Sequence, residues 1–154
     1  MIKNYVLTIF FLCVCVSLRA QESLNAQQQK LQNDIQNYLR EEGFAPSIDE
    51  DGDIKFKKEG ISYYVIIDKG ENSPFFLQLC VPYNLGANYD RQKVMQIASE
   101  VNEYKSVKMK LYSESIMIKV EMFLQDATHF GAVFYRTMSI LGFAGEEFLN
   151  EYNK

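Results

Sequence analysis

Little in this sequence offers a starting point for catalysis. It contains one histidine, three cysteines, eight glycines and no tryptophan. A lone histidine cannot build a multi-histidine zinc site, and no pair or triplet of His and Cys has metal-ligand spacing. None of the glycines forms a phosphate-cradling loop. His129 lies beside Phe130 near the start of an expected helix, where it reads as a capping or surface residue rather than a general base. No Ser-His-Asp or Cys-His set can be placed around it from sequence. The expectation is a non-enzyme with no cofactor, no metal and no catalytic residues.

Positive charge is also short. Sixteen Lys and Arg face 20 Asp and Glu, for a formal net charge of −4. The longest basic feature is Lys55, Lys57 and Lys58 on one expected strand, which reads as a solvated face, so nucleic acid is an unsuitable partner. Long apolar runs are limited to the first twenty residues. Lys3 gives a positive start, Val6 to Leu18 is almost continuously apolar, and Ala20 precedes Gln21. About 13 apolar residues fall short of the ~20 that a spanning helix needs, so residues 1–20 are expected to be a secretory signal peptide and the processed chain to have no stable membrane span. Leu18 stands where a small residue is preferred, which leaves cleavage after Ser17 as the alternative to Ala20. Cys13 and Cys15 raise a lipid-modified cysteine, but Phe10-Phe11-Leu12 lacks the small residues of a lipoprotein signal.

Export places the protein in the periplasm or outside the cell. Loss of Lys3 and Arg19 from the basic residues lowers the formal charge of −4 by two, to −6. Cys80 is then the only cysteine left, so no internal disulfide can form. With 154 residues, 47% hydrophobic and 14% aromatic, the chain suits a single domain over residues 21–154 stabilised by its core.

Within residues 21–42, Leu24, Leu31, Ile35, Tyr38 and Leu39 follow a helical period, with Ser23 as cap, Gln27 to Gln29 on the solvent side and Gly43 as terminator. A strand over 44–48, with Pro46 marking an edge, leads to Asp49-Glu50-Asp51-Gly52-Asp53. Four carboxylates around a glycine invite a calcium loop. Aligning Gly52 with the loop glycine, however, puts Ser47 first and Lys58 at the closing position, so a hairpin turn is the better reading. Strands follow over 54–59, 61–68 and 75–81, where Pro82 is expected to end the ladder. Cys80 reads as a small packed side chain. A second helix capped by Asp90 runs to Tyr104, with Val94, Ile97, Ala98 and Val101 inward. A third starts at Asp126 or Thr128 and is expected to break at Gly142 and Gly145, before a short tail helix over 146–152.

Between the second and third helices, Val107, Met109 and Leu111 alternate with Lys108 and Lys110. Ile116, Ile118, Val120, Met122 and Leu124 alternate with Met117, Lys119, Glu121 and Phe123. This is a hairpin with one apolar side that other elements must cover. The fold class is therefore α+β: an antiparallel sheet of about five strands with three helices, in the order helix, three or four strands, helix, two strands, helix. If Val107, Met109 and Leu111 face the helices, then Tyr64, Ile66, Phe76, Tyr112, Met117 and Phe123 share the opposite face. They are too apolar for a purely solvated surface. Either they form a partner-binding patch, or the third helix or tail covers them, and burial of Tyr112 and Phe123 decides between the two.

Asp51-Gly52-Asp53-Ile54 entering a strand, a helix closing on Val101-Asn102, and the 107–112 and 116–124 hairpin resemble the YbjN-type proteins. The resemblance spans about residues 31–141. It implies a fold similar to type III secretion chaperones and a role like that of bacterial sensory transduction regulators, and it carries over no catalytic residues. Most members of that family lack a secretion signal, from which residues 1–20 depart. The expected function is an exported chaperone-like or regulatory module that binds a protein or forms a homodimer. The alternative is a periplasmic small-ligand sensor or hydrolase with a pocket between sheet and helices.

Overall fold

The computed structural model describes residues 23–70 and 74–154. The expected signal peptide, its cleavage points and Cys13 and Cys15 lie outside the described residues, as does part of the turn before Pro74. Helix α1 (Ala26–Glu41) is capped by Asn25 rather than Ser23. The Asn25 side chain accepts from the backbone N–H groups of Gln27 and Gln28, and Gln28 Oε1 accepts from the Asn25 N–H in return. This reciprocal box satisfies otherwise orphaned N–H groups at the helix start. Gln28 is not on the solvent side: it is fully buried and donates to the carbonyls of Asp68 and Lys69. Gly43, at φ +87°, ends the helix as expected, with Gly43 N–H bonding to Arg40 O and Phe44 N–H to Leu39 O.

The strands are β1 (Ser47–Ile48), β2 (Ile54–Lys58), β3 (Ile61–Ile67), β4 (Phe75–Asn84), β5 (Val107–Leu111) and β6 (Ser115–Leu124). They form one six-stranded antiparallel sheet in the order β1-β2-β3-β4-β6-β5. The sixth strand arises because two residues of the expected 44–48 segment pair as a short edge, while Phe44 turns inward against Phe56 and Phe134. Glu59 and Gly60, both at positive φ, close the β2–β3 hairpin in the mirror-image turn that matches strand twist. Pro82 does not end β4. It pairs with Met117 of β6, while pairing on the other side stops at Tyr64 with Cys80, so beyond Cys80 only one neighbour requires ladder bonds.

Helix α2 (Arg91–Val101) is capped by Asp90 and is shorter than its expected end at Tyr104. Asn102 stops it there by accepting from Met109 N–H at 2.6 Å, which fastens the helix end to β5. Helix α3 (Ala127–Tyr152) runs unbroken through both glycines for 26 residues, capped by Asp126. Among the described residues no helix is long and apolar enough to cross a membrane. The three helices share one core with the inward row of every long strand, including Phe56, Val65, Leu79, Ile118 and Val120 from the sheet and Leu39, Val101, Phe130 and Phe134 from the helices. All the helices thus lie on one side of the sheet.

Candidate functional site

The strand register determines what the other side displays. Lys108, Lys119, Cys80, Tyr64 and Lys55 form one row across β5, β6, β4, β3 and β2. Glu121, Gln78 and Ile66 form the next, and Phe123 with Phe76 the one after. On the far side of the lysine row, Lys110, Met117 and Pro82 align, and Tyr112 follows Leu111 at the end of β5. Five of the six residues expected to share a face therefore do so, since positions of like parity in paired strands point the same way, and Tyr112, just beyond β5, joins them with its ring beneath the Lys110 ammonium.

They do not form one continuous apolar patch. Phe76 and Phe123 meet, with ring centroids 5.1 Å apart, and Ile66 lies diagonally beside them. Met117 and Tyr112 lie toward the other end. Between the two groups runs a polar belt in which Glu121 bridges Lys108 and, at 2.9 Å, Lys119, while Lys119 also donates to Gln78 at 3.1 Å. The hydrogen bond from Lys108, aided by Lys119, holds the Glu121 carboxyl below the usual carboxylate range. Two aromatic rings carry a lysine ammonium above them: Lys55 lies 5.5 Å from the Tyr64 centroid and Lys110 5.2 Å from that of Tyr112.

Tyr112 is 42% exposed and Phe123 63%. The third helix and its tail pack on the opposite side, and among the described residues no helix packs over these side chains. Lys55, Lys57, Lys108 and Lys110 lie on the solvated side expected for them, but their contacts with the Tyr64 and Tyr112 rings are not foreseen in the sequence. The alternation of Lys55 and Lys57 with Ile54 and Phe56, and of Lys108 and Lys110 with Val107 and Met109, carries the signal for that side.

The other residues of chemical interest serve the fold. Cys80 is fully buried between strands, and its thiol lies 3.5 Å from Tyr64 O. Burial, with Asp53 adding and Lys119 opposing, pushes it up to about 12, so it does not supply a thiolate. His129 caps α3 together with Asp126: its Nδ1 lies 2.8 Å from Asp126 Oδ1, and its backbone N–H donates to the same oxygen. Asp49 Oδ1 accepts from the N–H groups of Asp51 and Asp53, so the acidic stretch is the expected hairpin turn closed by its first carboxylate. Among the described residues no group of three or more His, Cys, Asp and Glu is arranged to hold a metal ion. Where a pocket between sheet and helices would lie, Phe56, Phe130, Phe134 and Phe148 are each at most 1% exposed. Surface depressions occur at the rim instead, one of about 510 Å³ beside Gln32, Ile48 and Asp49.

Asp53 stands out within the turn. Burial, reinforced by Asp49 and Asp51 and opposed by Lys69, raises its carboxyl to about 6 from an ordinary 3.8. A raised carboxyl binds its proton more tightly in the folded state. Its contribution is therefore most favourable below 3.8 and is lost as pH rises through 6. Asp53→Asn is expected to stabilise the protein at pH 7 by about 1 kcal/mol, a value discounted for solvent screening of a half-buried group. Urea unfolding of both proteins checks this. The gain must disappear below pH 4, and an equal gain at both pH values would exclude the electrostatic cause.

No protein-family model matches the chain, and no curated protein or solved structure matches it.

Proposed function

We propose that the chain is an exported, non-catalytic binding module that engages a protein, either another chain or a second copy, through the open face of its sheet. One observation carries the reading. Phe123, a large apolar side chain in a central strand pair, is 63% exposed beside Phe76, on a face that no described helix covers. Exposed apolar surface next to polar groups is the common composition of protein contacts. The resemblance to YbjN-type proteins is in keeping with a binding role and supplies no chemistry of its own.

Tyr112→Lys/Phe123→Lys tests the reading. Both side chains project from the sheet, so the variant is expected to fold with a stability change within about 1 kcal/mol. Failure to fold would make the face part of the core and end the proposal. Light scattering after size exclusion then separates the partners. A parent dimer that becomes a monomer on substitution identifies a second copy, and monomers in both forms exclude a second copy and leave a different protein as the partner to seek. A dimer that persists in the folded variant places the contact elsewhere.

A further inference from the structure

Charge in this protein is sorted by secondary structure. The six strands hold Lys55, Lys57, Lys58, Lys108, Lys110 and Lys119 but one carboxylate, Glu121. Acidic residues outnumber basic ones in the whole chain, 20 to 16, so helices and loops carry the negative balance. Five of the six lysines, all but Lys58, fall on the open face by register. Folding does not favour this arrangement. Lys108 and Lys119 are direct cross-strand partners, and like charges so placed oppose pairing. Glu121 offsets part of that repulsion by bridging both ammonium groups and leaves Lys55, Lys57 and Lys110 without a carboxylate partner within ion-pair distance among the described residues.

We propose that the occupant of this face is an acidic segment of a different protein, in which Asp or Glu alternates with aromatic or aliphatic residues. The proposal rests on the reading that the open face binds protein, and adds the chemistry of the partner. Carboxylates of the segment meet Lys55, Lys57 and Lys110, while its apolar side chains meet Phe76 and Phe123 at one end of the sheet and Met117 and Tyr112 at the other. Charge complementarity of this kind determines which partner is accepted and how fast it arrives. A second copy is disfavoured as the occupant, because a two-fold contact presents the same patch from both sides and would set lysines against lysines. An anionic bilayer or a nucleic acid attracts the same face but repels the net-negative remainder of the molecule. A short peptide segment meets the face alone.

Fluorescence anisotropy with three synthetic peptides tests this, their residues alternating Phe with Glu, Phe with Lys, or Phe with Ser. The full purified protein is expected to bind the Glu peptide, more weakly as salt rises, and to bind the other two at least about tenfold less well. Lys55→Glu/Lys57→Glu/Lys110→Glu is expected to weaken the Glu peptide by about tenfold or more, whereas Lys30→Glu/Arg40→Glu/Arg136→Glu, the same charge change on exposed positions of α1 and α3, leaves binding within about twofold. If the first triple variant does not fold, the same three positions changed to Gln supply the readout, with a smaller loss expected. Equal binding of all three peptides, abolished by Phe123→Ser, would overturn the acidic partner and leave the binding face standing. Binding of phosphatidylserine vesicles but of no peptide would overturn it in favour of a lipid surface. No binding of any probe to the parent would reject the acidic segment and the open-face reading together.

Discussion

Phe134→Ala is expected to remove about 3–5 kcal/mol of stability, a large share of the ~5–15 kcal/mol that holds a domain of this size together. Phe134 is fully buried on α3, and it is the ring on which the two ends of the fold converge. Its centroid lies 5.6 Å from Tyr38 on α1, 5.7 Å from Phe44 after the α1 turn, 5.9 Å from Phe56 on β2 and 5.5 Å from Phe130 one helical turn back. The contacts with Tyr38 and Phe44 are edge-on, the geometry in which the positive ring edge meets the negative face of its neighbour. Truncation to Ala therefore deletes the hydrophobic transfer of a whole ring, strands these partners and opens a cavity that elements from three parts of the chain cannot easily close. Urea unfolding monitored by circular dichroism measures the loss. Phe123→Ala gives the contrast, since its exposed ring should cost less than about 1 kcal/mol. A loss below about 2 kcal/mol at Phe134 would mean that the cluster is not what ties α1 to α3.

That contrast between two phenylalanines is partly legible in the sequence itself. Strict alternation within residues 107–111 and 116–124 separates Val120 from Phe123 by face, and the 3.6-residue period of Phe130, Val133, Phe134, Thr137, Met138 and Leu141 identifies the inward stripe of α3, with the one exception that Val133 at its margin is exposed. The caps at Asp90 and Asp126 and the glycine terminator at Gly43 are readable because their hydrogen bonds are local. Asn25 with Gln28 three residues on is an equally local signal, and it outcompetes Ser23 because both halves of the box can form. Cys80 is packed as its small side chain suggests, whereas Pro82 cannot be placed by such reasoning. Whether a proline fits within a strand depends on which neighbours still require ladder bonds at that height of the sheet, and β3 stops pairing with β4 at Tyr64. Cys80 is buried although it shares the open face, flanked by Tyr64 and Lys119 in its row. The candidate face follows from alternation alone, but its openness depends on all three helices choosing the other side, a decision of tertiary packing.

The two glycines of the second half of α3 are expected to respond to the same substitution with opposite signs. Helix propensity disfavours both, which is the reason to expect a break at each, and the helix passes through them because packing outweighs a propensity cost of about 1 kcal/mol per residue. At Gly142 a Cβ would meet nothing within 4 Å. Gly142→Ala should therefore stabilise the protein by about 0.5–1 kcal/mol, the ordinary advantage of Ala in a helix. At Gly145 the added Cβ would lie 2.2 Å from Tyr83 Oη and 3.1 Å from its Cζ. Tyr83 is held on β4 opposite Ile116, and its ring sits 6.0 Å from Phe148, so it cannot retreat without disturbing the sheet–helix contact. Gly145→Ala is accordingly expected to lower stability by about 1–3 kcal/mol despite the better propensity, the usual range for forcing a methyl into a filled space. Tyr83→Phe removes the oxygen that clashes first. In that background Gly145→Ala should recover part of its loss, giving a coupling of about 1 kcal/mol between two residues 62 positions apart in sequence. Gains at both glycines, or a loss at Gly145 that Tyr83→Phe leaves unchanged, would show that α3 is held against β4 by something other than this contact. The expected signs make Gly145 a docking position for the strand that also carries Phe76, which ties the seating of the helix layer on one side of β4 to the surface displayed on the other.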